Sequence, residues 1–236
     1  MDFSDFSDTL RATTMQQLVE IFWKNGACII QGDLNPDVLQ QMEQDLVSSP
    51  PEVKHMGSHT GRFRYRAGKP ENCKVEGYLS LIESPTLRRA LDLLTLKGSK
   101  STSWKVHTFG GDEVSPQTDN IQDLHSDWPA YKTNSIRLGF ALVVAVAPRD
   151  ITTDLGPMRL VPWSILRREP DYPRLSRGQK DLYEKGYEVT LKAGEFLIRD
   201  CRVAHGGTAN ATDQVRCLPS VQILSPQWLE QMILDE

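Results

Sequence analysis

The chain has 236 residues, 39% hydrophobic and 25% charged, with a net charge of -4; these are the proportions of an ordinary globular protein. A sequence pI of about 5.8 argues against a general electrostatic nucleic-acid binder, and no apolar run is long enough to cross a bilayer as a helix. The N-terminal "MDFSDFSDTLRATT" has no basic n-region or apolar h-region, the final "LDE" is not a peroxisomal address, and Cys28, Cys73, Cys201 and Cys217 form no CxxC pair. The expectation is a cytoplasmic protein with reduced thiols, without membrane or nucleic-acid partners.

In chain order, Thr13 or Thr14 caps a helical run through Met15, Leu18, Val19 and Phe22 that ends at Asn25-Gly26. "ACIIQ" reads as a short strand, and Asn35-Pro36 starts a second helix that stops before Pro50-Pro51. Residues 51 to 77 are rich in Gly, Lys and Arg and show no period. They read as a loop, and a loop of that length suggests a substrate lid. Ser84-Pro85 opens a third helix.

From about residue 102 the texture is that of strands. "STSWKVHTF" alternates up to Gly110-Gly111, and a polar loop leads into "LHSDW". In "NSIRLGFALVVAVAP" the apolar residues Ile136, Leu138, Phe140, Leu142, Val144 and Val146 share one face. "GPMRLVPWS" is a shorter strand, "SRGQKDLYEKG" an inserted helix, "YEVTLKAGEFLIRD" a hairpin about Ala193-Gly194, and "QVRCLPSVQIL" a late strand. The fold class expected is mixed α+β but mainly β. It is a single domain over residues 1–236 with a jelly-roll, cupin-like core (a double-stranded β-helix) from about residue 101 to 226. A helical part fills about the first hundred residues, and these helices and the inserted one pack outside.

The motif with chemistry is "LHSDWP". Residues two apart on a strand face the same side, so His125 and Asp127 would converge and Ser126 would point away. Taken alone, an exposed polar face or a structural Asp–His hydrogen bond is the better explanation, because HxD arises easily by chance. A second stretch, "RDCRVAHGGTANATDQVRCLP", puts His205 at a strand end before Gly206-Gly207 and Arg216 eleven residues later. Two His and one Asp form the facial triad of non-haem Fe(II) oxygenases, which leaves three metal positions open. A nearby Arg can grip a carboxylate through two parallel hydrogen bonds. For Arg216 the plainer alternative is a core Arg–Asp pair, and for His205 a satisfied histidine at a strand end.

At this point the chain resembles the phytanoyl-CoA dioxygenase-like branch of the Fe(II)/2-oxoglutarate-dependent dioxygenases. "LVEIFWKNGACIIQGDLNPDVLQQMEQDL" is similar to that family's helix–strand–helix entry. "QDLHSD" matches its Q-x-x-H-x-D pattern, "DLGPMRLVPWS" its "NGA-x-R…PGSH" stretch, and "AHGGTANATDQVR" its H-x-G-x-x-N…R ending. The resemblance implies that His125, Asp127 and His205 bind Fe(II). It implies that Arg216 pairs with the far carboxylate of 2-oxoglutarate, and that Gln122 hydrogen-bonds near its keto-acid end. It further implies an O2-dependent oxidation, most simply hydroxylation, of an unactivated C–H of a small-molecule substrate in secondary metabolism, with release of succinate and CO2. A non-catalytic jelly-roll binding protein, or a zinc hydrolase or lyase on the same ligands, is the alternative.

Two positions depart from the family pattern. Met158 stands where the family often has a small hydroxyl residue that contacts the cosubstrate, and a thioether has no donor to offer. "PWSI" replaces Pro-Gly-Ser-His, so Trp163 adds bulk, either as core packing or as a pocket wall. Trp128 beside the motif and His107 on the preceding strand are further candidates for the substrate side. His55 and His59 stand i,i+4 on a poor helix sequence. Arg62, Arg64 and Arg66 alternate along what reads as an exposed edge, with contact to an anionic substrate as the alternative.

Overall fold

The computed structural model describes residues 6–48, 53–55, 61–99, 103–127, 140–162 and 186–228. α1 (Phe6–Leu10) and β1 (Arg11–Ala12) lead into α2 (Met15–Asn25). The Thr14 hydroxyl accepts the Gln17 N–H at the start of α2, and Gly26 ends it at φ 78°, donating its N–H to Phe22 O. Gly26 is the left-handed stop that glycine adopts without a Cβ clash. β2 (Ala27–Gln31) and α3 (Pro36–Ser48) follow as the sequence indicates.

The next segment differs from expectation. Residues 51 to 77 are not one loop: they hold β3 (Val53–His55), β4 (Arg62–Gly68), a 3-10 turn (Pro70–Asn72) and the start of α4 (Glu76–Glu83). β4 pairs antiparallel with β3 on one side and with β5 (Lys105–Val114) on the other. It is therefore no edge strand, and a lid reading does not hold over 62–68. Its alternating arginines give the period-2 pattern but read as an exposed edge. Tyr65 is fully buried, while Arg64 and Arg66 are exposed and Arg62 is buried. The helical part thus contributes four strands as well as helices. α5 (Pro85–Ser99) closes it.

β5 runs through Gly110-Gly111 instead of ending there. A Cβ on Gly110 would lie 2.7 Å from the Tyr65 carbonyl, and one on Gly111 2.5 Å from the Leu218 carbonyl. These glycines allow three strands to close up, and they do not mark a turn. β6 (Ala141–Val146), β7 (Met158–Leu160), β8 (Tyr187–Val189), β9 (Glu195–Asp200), β10 (His205–Gly207) and β11 (Arg216–Leu224) complete the order. They build an eight-stranded sheet, β1-β2-β9-β6-β11-β5-β4-β3, and a three-stranded sheet, β10-β7-β8. β8 and β9 are no hairpin: β8 pairs with β7 in the small sheet and β9 with β2 and β6 in the large one. The chain crosses between sheets about Gly194, whose φ is 82°. Strand alternation says which face is apolar and leaves the partner strand open, so the local sequence could not separate a hairpin from a crossing.

Two cores result. On the outer face of the large sheet Leu142, Val144, Val146, Phe196, Ile198 and Val221 meet the apolar faces of α2 to α5. Between the sheets Ala145, Leu197 and Leu218 meet Met158, Leu160 and Val189. Phe140, Leu142, Val144 and Val146 share the outer cluster, as the alternation indicates. Ile136, Leu138 and the expected inserted helix lie outside the described residues. So do Trp128, Trp163, His59 and the side chain of His55. No described helix is long and apolar enough to cross a membrane.

Candidate metal centre

The residues flanking the two sheets bring the triad together. His125 is not on a regular strand. It forms an isolated antiparallel bridge with His205, whose N–H and C=O each bond the other residue's backbone at 2.8 Å. Asp127 follows in a bend, with its N–H donated to Cys201 O at 3.0 Å. The approach needs Gly206: a Cβ there would lie 2.7 Å from the Gln122 carbonyl. The glycine pair after His205 is thus where the strand and the motif loop touch.

One ligand atom each from His125, Asp127 and His205 lies within 4.8 Å of the others. Asp127 Oδ1 is 3.7 Å from His205 Nε2 and 4.0 Å from His125 Nε2. Both imidazoles are oriented by backbone: Nδ1–H of His125 donates to Asp123 O and that of His205 to Val203 O, each at 2.9 Å. Each ring is thereby held in the tautomer that frees Nε2 as a lone-pair donor. His205 is buried and the other two are half-buried, so the centre opens on the His125 side.

The electrostatics suit a cation. Burial opposes ionisation of Asp127, but the Arg199 guanidinium and the neighbouring imidazoles outweigh it and hold the carboxyl well below the usual carboxylate range. Burial, reinforced by Arg199, pushes His205 well below the ordinary imidazole value. An ionised carboxylate and a neutral imidazole are the forms that bind a metal. This donor set, two nitrogens and one oxygen on one side of a space, fits Fe(II).

The other expected site residues are placed as follows. Arg216 opens β11 opposite Val114 and is 3% exposed. Its Nη1 donates to Asp112 O at 3.5 Å, and its buried Nε has no hydrogen-bond partner. Burial works against its charge. A guanidinium with an unused buried donor fits an incoming carboxylate. Gln122 accepts the Gly207 N–H through Oε1 at 3.1 Å and donates its own N–H to Gly207 O. Met158 faces Gly207 across the small sheet and packs in the core between sheets. His107 is half-buried on β5 where the register with β11 slips, and no contact joins it to the triad among the described residues. Burial and Lys69 lower its pKa.

Sequence reasoning missed one contributor and matched another in a motif without giving it a role. Arg199 reaches Asp127 from β9; the signal was one guanidinium in the otherwise strand-like "EFLIRD". Asn210 is fully buried, donates to Ser115 O and Gln214 O, and accepts from Thr212 N. It sets the turn that delivers Arg216 to β11.

The family model of phytanoyl-CoA dioxygenase (PhyH) matches residues 22–217. No curated protein matches the chain in sequence. Among solved structures, the non-heme alpha-ketoglutarate-dependent epimerase SnoN from nogalamycin biosynthesis is similar with a TM-score of 0.70 and 19% identity, over 89% of this chain and 80% of that one. The carbocyclase SnoK of the same biosynthesis gives 0.67 and 20%, over 90% and 86%. HygX from Streptomyces hygroscopicus, with nickel and 2-oxoglutarate bound, gives 0.66 and 16%, over 91% and 88%. At these identities the structures show a shared fold.

Proposed function

The chain belongs to the phytanoyl-CoA dioxygenase family, and from that premise we propose that this Fe(II)- and 2-oxoglutarate-dependent enzyme hydroxylates an unactivated C–H of a small metabolite of secondary metabolism. The observation that carries the reading is the convergence of His125, Asp127 and His205, with a buried Arg216 that still has a donor to give. His125 Nε2, Asp127 Oδ1 and His205 Nε2 hold the metal. Arg216 takes the far carboxylate of the cosubstrate, and Gln122, pinned to Gly207, lines its keto-acid end. Held by these residues, Fe(II) would supply the O2 chemistry of the reaction, in which 2-oxoglutarate and O2 would give succinate carrying one oxygen atom, CO2, and the other oxygen as a hydroxyl on the substrate. The apolar core between the sheets would keep water from that side of the reaction.

The substrate class is supported by neighbours of this fold: SnoN was solved with nogalamycin RO and HygX with hygromycin B. The free, mostly buried cysteines suit the reducing cytoplasm expected from the sequence. The test is reconstitution with Fe(II) and 2-oxoglutarate and a metabolite panel read by succinate release. The expected result is succinate in step with a product heavier by one oxygen atom. Turnover with zinc and without 2-oxoglutarate would instead make the protein a hydrolase or lyase. Tight binding of a panel member with no consumption of 2-oxoglutarate would make it a binding protein.

A further inference from the structure

β9 carries a guanidinium into the space between the sheets. Leu197 and Arg199 share the inner face of that strand, and Leu197 packs there against the small sheet's cluster. Across the sheet Arg199 has Ala27 on one side and Val143 on the other, neither of which offers it an acceptor side chain. It is 5% exposed. Its Nη2 donates to Asp127 Oδ2 at 2.5 Å, and its buried Nη1 has no hydrogen-bond partner. Asp127 is thus the only hydrogen-bond acceptor this guanidinium meets among the described residues.

A fold-holding ion pair is the ordinary reason for such a contact. Here the backbone of Asp127 is already tied to Cys201 O, so the pair is not needed to place the bend. What it adds is a choice between two oxygens. Oδ2 is engaged by Arg199, and Oδ1 is the atom nearest both imidazole Nε2 atoms. We propose that Arg199 is a positioning residue that makes Asp127 a one-oxygen ligand, so that the coordination positions needed by the α-keto acid cosubstrate stay free. This rests on the reading of the triad as an iron site. A carboxylate released from Arg199 can swing and offer both oxygens to the metal. It would then compete with the chelating keto-acid while holding the metal at least as well. Partners of this kind behind a ligand typically carry on the order of ten- to a hundredfold in affinity or activity.

The experiment separates metal from cosubstrate. Fe(II) binding is titrated anaerobically by calorimetry. 2-Oxoglutarate is then titrated into the iron-loaded protein and followed by the metal-to-ligand charge-transfer band, for wild type, R199M and R199K. The expected result is that R199M binds iron about as tightly as wild type, within roughly threefold, and needs on the order of ten- to a hundredfold more 2-oxoglutarate to develop the band. R199K keeps the charge without the planar fork and falls between the two. Wild-type cosubstrate dependence in R199M overturns the proposal, as does loss of iron binding in a folded R199M, which marks a merely structural pair. If R199M does not fold, wild-type cosubstrate dependence in R199K overturns it. Failure of the wild type itself to bind iron and 2-oxoglutarate together would instead sink the functional reading beneath it.

Discussion

A histidine has two nitrogens, and at this centre backbone carbonyls decide which one is offered. Asp123 O and Val203 O take the Nδ1–H groups, and only Nε2 is left to face Asp127. Arg216 differs in that its buried Nε is unused, and the proposed role gives that donor a carboxylate. If it holds the cosubstrate as proposed, replacing it by Ala leaves that carboxylate buried without its cation, a loss of about 2–5 kcal/mol, or on the order of thirty- to several-thousandfold in affinity. Arg216→Ala is therefore expected to raise the 2-oxoglutarate requirement by that factor with iron affinity unchanged, measured by the same two titrations; an unchanged requirement would remove the assignment. The convergence of His125, Asp127 and His205 was legible because they stand in short motifs whose spacing has chemical meaning, and Arg216 from the same motif is buried. Arg199 was not legible, because its partner lies 72 residues away in sequence and a charge near a strand end usually reaches solvent.

At the scale of elements, the helices with capping signals and the strands with apolar alternation were readable: α2, β2, α3, α5 and β11 run where the sequence indicates. The arginines of β4 alternate as those of an exposed edge would, so its inner position between β3 and β5 was not readable, and the crossing from β8 to β9 had no local signal for which sheet a strand joins. The glycines show the same limit. Gly206 reads as lying just past a strand end, yet it lies inside β10 and lets the motif loop pack onto that strand. A methyl group at this position meets the Gln122 and Asp123 carbonyls at 2.7 and 3.1 Å, and backbone cannot give way as a side chain does. Gly206→Ala is expected to cost about 1–3 kcal/mol through overpacking. It should also push His125 away from His205, so metal affinity falls more than overall stability does. Calorimetry with Ni(II) and a thermal melt of the metal-free protein check the two parts, and wild-type metal affinity would contradict the account of the glycine.

The whole molecule has an outer layer of core on the large sheet and an inner one between the sheets, and both layers make measurable claims. In the outer layer Cys28 and Cys217 are buried, Cys201 is buried near the centre, and Cys73 is partly exposed. Burial pushes the Cys217 thiol up to about 12, and a thiol so protonated is inert. One thiol, Cys73, is expected to react quickly with a disulfide reagent in the native protein, and the other three only on unfolding. Fast reaction of a second thiol would mean the helical layer opens readily. In the inner layer the residues proposed to bind metal and cosubstrate are spread over the fold: His205 is on the small sheet, Arg216 on the large one, and His125 and Asp127 on the loop between them. No local fragment can assemble them, so a metal or cosubstrate that binds here binds only the folded chain. Binding linkage then adds about 2.7 kcal/mol at a hundredfold excess over the dissociation constant. For a chain of this size each kcal/mol moves the melting temperature by roughly 2–4 °C, which gives a rise of about 5–11 °C. Ni(II) with 2-oxoglutarate is expected to produce a rise in that range in a thermal melt. His205→Ala should abolish the rise, and Arg216→Ala should keep the part due to metal and lose the part due to cosubstrate. A full rise in His205→Ala would place the ligand somewhere other than between the sheets.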